Sequence, residues 1–185
     1  ILHPGEYYVG EDESLISTVL GSCVSIVIYD EKVRIGGMNH YMLPGGEGRE
    51  DLPEAVKGKF AVQALHLLLG ALREKGASRH ELKAKVFGGG NVLGQLDSTG
   101  RLSDSDIGAS NVRAAFALLE KERIPVISSD VRGENARKIF LDPRSGYVYL
   151  KRLEKNLLAP VREVERSQFE ELKKKSSIDP TILPS

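Results

Sequence analysis

At 185 residues the chain is long enough to bury one sizeable core and short for two full domains. Lysine plus arginine equal aspartate plus glutamate at 26 each, so no global field draws the protein to nucleic acid or to an acidic membrane surface. One cysteine excludes an intramolecular disulfide and any zinc site built on several thiolates, and no apolar run approaches the ~18 residues that a membrane span requires.

Taken in order, Ile1-Leu2-His3-Pro4-Gly5 lacks the basic-then-apolar pattern of a secretion signal, and a cytoplasmic protein is expected. Glu6-Tyr7-Tyr8-Val9 suits a first strand after the Pro4-Gly5 turn, and Leu15 to Leu20 a second, ending at Gly21-Ser22-Cys23. Val24 to Asp30 is rich in Val and Ile and reads as a largely buried strand. A further strand-like run, Val33 to Pro44, follows the turn-forming Asp30-Glu31-Lys32. Pro44 to Gly58 is glycine, proline and charge, and reads as a mobile loop. Phe60 to Lys75 carries Ala61, Leu65, Leu68 and Leu72 at helical spacing, with Gly76 as its C-cap glycine. Lys83 to Phe87 alternates as a strand and runs into Gly88-Gly89-Gly90-Asn91. A second helix is expected from Ile107 to Glu122, with cap oxygens in Ser103 to Asp106. Pro125 to Ser129, Arg137 to Leu141 and Tyr147 to Leu150 read as strands, the last two forming a hairpin over Asp142 to Gly146. Residues 1–155 are thus expected to form a single α/β domain, a sandwich of mixed, largely antiparallel sheet with two main helices. Residues 156–185 form a charged tail, expected to be helical over Val161 to Lys175 and disordered in its last ten residues.

Cys23 has two readings, since cysteine is often a small buried hydrophobe. Its place at a Gly-Ser corner offers backbone N–H groups that could stabilise a thiolate or an oxyanion. If the runs flanking Asp30 to Lys32 pair as a hairpin, Cys23 and His40 come together, the minimum for an activated thiol nucleophile. His3, His66 and His80 are scattered without metal-ligand spacing, and no metal or cofactor is expected. The Gly88–Gly90 run lacks the frame of a phosphate loop and reads as room for backbone to approach the cysteine strand. No Gly-x-Ser-x-Gly elbow supports a serine hydrolase.

Leu20-Gly21-Ser22-Cys23-Val24 followed by Gly36-Gly37-Met38-Asn39-His40-Tyr41-Met42-Leu43-Pro44 closely resembles the CheD family of chemoreceptor glutamine deamidases. The resemblance continues through Lys85 to Gly90, Asp106 to Val112 and the C-terminal strand pair, and spans roughly residues 5 to 152. It implies a cysteine hydrolase that converts receptor glutamines to glutamate through a thioester, without a cofactor, in bacterial chemotaxis. The implied nucleophile is Cys23 and the implied histidine His40. The third member, a hydroxyl six positions before the cysteine, falls on Ser17, with Thr18 held in reserve because neighbours on a strand face opposite ways. Ser110 stands where the family commonly has arginine. The implied partners are methyl-accepting chemotaxis receptors and a CheC-type phosphatase. A regulatory subunit for that phosphatase, with receptor methylesterase activity, is the alternative reading.

Overall fold

The computed structural model describes residues 1–48, 51–91 and 107–154, together with 160, 163, 164, 167 and 168. Its strands are β1 (Tyr7–Gly10), β2 (Ile16–Leu20), β3 (Val24–Asp30), β4 (Ile35–Asn39), β5 (Lys83–Gly88), β6 (Val126–Val131), β7 (Arg137–Leu141) and β8 (Val148–Arg152). The helices are α1 (Glu54–Lys57), α2 (Ala61–Glu74) and α3 (Ile107–Lys121). The Val/Ile-rich run becomes β3, buried along its whole length because it is covered on both faces. It lies at the centre of a five-stranded sheet of order β1-β4-β3-β5-β6. All pairs in that sheet are antiparallel except β5 with β6, whose connection carries α3. A second, antiparallel sheet has the order β2-β7-β8.

Side-chain alternation on β3 assigns its two faces. Val24, Ile26 and Ile28 pack with Leu65 and Leu68 of α2 and Ala115 and Leu119 of α3. Cys23 and Val27 pack with Met38 and Met42, and with Ile16, Leu20, Ile139 and Leu141 of the smaller sheet. The larger sheet is therefore sandwiched between a helix layer and the smaller sheet, a mixed and largely antiparallel α/β arrangement as expected.

The apolar stripe of α2 seats Leu65, Leu68 and Leu72 without exposed surface. Burial of each such side chain is worth about 1.5–3 kcal/mol. Gly76, at φ +94°, lets the chain turn back at the helix end, where its N–H reaches the Arg73 carbonyl and that of Ala77 reaches Leu72. The loop expected from Pro44 to Gly58 contains the one-turn α1, which begins after Pro53. Proline fixes φ for a helix start and forgoes an N–H that would lack a partner there. The expected cap residues Ser103 to Asp106 lie outside the described residues. So does most of the expected C-terminal tail.

Candidate active site

Cys23 leads into β3 and His40 leaves β4, so the hairpin register decides whether they meet. Beyond β4, Val24 and Tyr41 exchange backbone hydrogen bonds of 3.1 and 3.0 Å. Continued from Val27 opposite Met38, this register sets Cys23 opposite Met42 and Ser25 opposite His40. These four side chains share the face turned towards the smaller sheet. Cys23 and His40 are thus diagonal cross-strand neighbours, a relation in which long side chains make contact. Cys23 has no exposed surface and His40 is 3% exposed.

The imidazole is held from the smaller sheet. Thr18 Oγ1 lies 2.8 Å from His40 Nδ1 and donates its proton to the Leu2 carbonyl at 2.9 Å. A hydroxyl has one proton, and a carbonyl only accepts, so Thr18 accepts from His40 Nδ1–H. The chain of bonds fixes the tautomer: Nε2 carries the lone pair. It is buried and has no hydrogen-bond partner among the described residues, as is the hydroxyl of Ser25 on the directly opposed residue. Burial pushes the imidazole pKa down to about 3, against a smaller opposing influence from the Leu2 backbone. His40 therefore rests neutral, with a proton-accepting nitrogen on the face it shares with Cys23.

Thr18, not Ser17, provides the hydroxyl. On β2, Thr18 pairs with Ile139 and Ser17 with Phe140. Ile139 is fully buried between the sheets, so alternation turns Thr18 inward and Ser17 to the outer face of the smaller sheet. Of the two hydroxyls that the resemblance leaves open, the reserve position Thr18 is the one bonded to His40, and Ser17 faces away from it. His3, His66 and His80 are exposed, and no cluster able to hold a metal occurs among the described residues.

The turn that presents Cys23 is held through three successive carbonyls. Gly21 accepts from Gly90 N–H at 2.7 Å, Ser22 from Asn111 Nδ2 at 3.1 Å, and Cys23 from Gly89 N–H at 2.7 Å. The triglycine run permits this approach. Gly88 has φ +109°, and a Cβ there would lie 2.2 Å from the Cys23 carbonyl oxygen. Asn111 Nδ2 also donates to the Met42 carbonyl at 2.8 Å, and the Tyr41 hydroxyl donates to the Asn111 carbonyl at 2.7 Å. Sequence reasoning assigned Asn111 no role. Its signal was a poor helix former in the first turns of an otherwise good helix, a place where Asn is kept for hydrogen bonds of its side chain.

Residues 42–152 match the family profile described as CheD chemotactic sensory transduction. The "Probable chemoreceptor glutamine deamidase CheD 1" of Dechloromonas aromatica is 42% identical over 150 residues, which cover 81% of this chain and 71% of that protein. The "Probable chemoreceptor glutamine deamidase CheD" of Janthinobacterium sp. is 41% identical with the same coverage. The "Probable chemoreceptor glutamine deamidase CheD 2" of Shewanella oneidensis is 38% identical over 80% of this chain and 74% of its own. With the profile and these relatives spanning most of the sandwich, the chain belongs to the CheD family.

Proposed function

We propose that the protein deamidates glutamine side chains of chemoreceptors, with Cys23 as nucleophile, His40 as base and Thr18 as the group that orients it. The observation that carries this reading is the Leu2–Thr18–His40 hydrogen-bond chain, which ends in an unpartnered Nε2 on the face shared with Cys23. His40 Nε2 takes the Cys23 proton as sulfur attacks the carboxamide carbon. The tetrahedral oxyanion is stabilised by N–H groups of the turn, where one donor is worth about 3–4 kcal/mol in comparable enzymes. The imidazolium returns the proton to the departing nitrogen, which leaves as ammonia and gives a thioester. Water then adds to the thioester with His40 again as base, releasing glutamate and the Cys23 thiol. A neutral imidazole in the resting site makes proton transfer part of the attack, rather than a preformed ion pair.

Both reacting groups are buried, so the substrate carboxamide reaches them only when covering atoms move aside. The product carries a charge that the substrate lacks, enough to bias a receptor signalling equilibrium. No helix among the described residues is long and apolar enough to cross a membrane, and the receptor's cytoplasmic portion is the substrate we assign. The alternative, a regulatory subunit for a CheC-type phosphatase, rests on resemblance alone. Ammonia release tests the enzyme reading: receptor cytoplasmic fragment with wild-type protein liberates ammonia, and His40→Asn abolishes it. Equal release by both would remove the base from the mechanism.

A further inference from the structure

Asn111 does more than fill space at the start of α3. Its amide nitrogen has two protons and places them on two carbonyls, Ser22 at 3.1 Å and Met42 at 2.8 Å. Ser22 belongs to the turn that presents Cys23, and Met42 lies two residues beyond His40. One side-chain nitrogen therefore joins the nucleophile's segment to the base's segment where the regular β3–β4 ladder has ended. The Ser22 carbonyl is in the same peptide plane as the Cys23 N–H. Holding that oxygen fixes the plane, and with it the direction in which the Cys23 side chain leaves the backbone.

Asn111 is itself locked. It has no exposed surface, and its carbonyl accepts the Tyr41 hydroxyl, whose own backbone pairs with Val24. Its Oδ1, by contrast, is buried without a partner among the described residues. An orphaned acceptor costs stability that an apolar residue would not incur. The position tolerates that cost in return for the two donors. Aspartate has the same shape but, ionised, offers no donor and would set negative charge against two carbonyl oxygens.

We propose that Asn111 is a positioning residue for the reaction, clamping the Cys23 turn to the His40 strand and thereby setting the separation of nucleophile and base. This rests on the assignment of Cys23 and His40 as the reacting pair. The test compares wild type, Asn111→Ala, Asn111→Asp and Tyr41→Phe, each checked for folding by circular dichroism. With receptor fragment, the folded Asn111 variants lose about tenfold or more in kcat while KM stays within about twofold. Tyr41→Phe loses several-fold in the same sense.

Iodoacetamide alkylation of Cys23 without receptor gives the second readout. A displaced base no longer accepts the thiol proton during attack, so alkylation at pH 7 slows. Mere loosening of the core exposes the buried thiol and speeds it. Unchanged kcat in folded Asn111 variants, or faster alkylation than in wild type, overturns the proposal. Should neither Asn111 variant fold, wild-type kcat in Tyr41→Phe overturns it. If wild-type protein releases no ammonia from receptor, the deamidase reading fails, and the alkylation comparison still decides the role of Asn111.

Discussion

Replacing Thr18 with valine keeps the shape and burial of the site and removes one hydroxyl. Two groups then lose their partner, His40 Nδ1–H and the Leu2 carbonyl. A buried polar group left unsatisfied costs about 1–3 kcal/mol. A neutral imidazole escapes part of that cost by moving its proton to Nε2, where it no longer accepts from Cys23. A loss of this size in the barrier lowers kcat about 5- to 150-fold. Steady-state ammonia release from receptor fragment measures it, and nitrogen chemical shifts of His40 report the tautomer directly. Thr18→Ser retains the hydroxyl and stays within about threefold of wild type, and Ser17→Ala within about twofold. Folded Thr18→Val with wild-type kcat, or a larger loss in Ser17→Ala than in Thr18→Val, would refute the reasoning.

Three further outcomes follow from the same geometry. His40 titrates near 6.5 when exposed and at about 3 when buried, so between these values the unfolded chain binds a proton that the folded protein does not. Its contribution is fully present above pH 6.5 and is lost as pH falls towards 3, at about 1.4 kcal/mol per pH unit and so several kcal/mol in all. Urea titrations across that range measure the slope, and His40→Asn flattens it; equal slopes would contradict the burial argument. Gly88→Ala forces a side chain onto φ +109° and against the Cys23 carbonyl. It should cost more than about 2 kcal/mol of stability by denaturant midpoint, and a neutral result would disprove the close approach. Cys23, lacking exposed surface, should react with a bulky aromatic disulfide far more slowly than a cysteine in the unfolded chain. Rapid labelling of folded protein would contradict its burial.

Much of the fold was legible because its elements carry strong local signals. β3 and β7 fall on the residues that the Val/Ile run and the Arg137–Leu141 run mark, and α2 follows its leucine stripe to Gly76. The Cys23–His40 juxtaposition could be inferred because one short turn joins their strands and alternation within a hairpin is regular. The hydroxyl partner could not. Thr18 and Ser17 sit on a strand of the other sheet, and which of them faces inward depends on the pairing of β2 with β7, more than a hundred residues away in sequence. Asn111 was hidden for a related reason. It reaches the turn from a helix that precedes β6, and neither spacing nor charge in its own segment names the carbonyls it binds.

The measurement that tests the thiol mechanism most directly is peptide mass spectrometry of a receptor cytoplasmic fragment after incubation with wild-type protein and with Cys23→Ala. Each conversion of a carboxamide to a carboxylate adds about 1 Da as the thioester turns over. The account predicts that gain at particular glutamines with wild-type protein and none with Cys23→Ala. The same gain with both proteins, or no gain with wild-type protein, would contradict it.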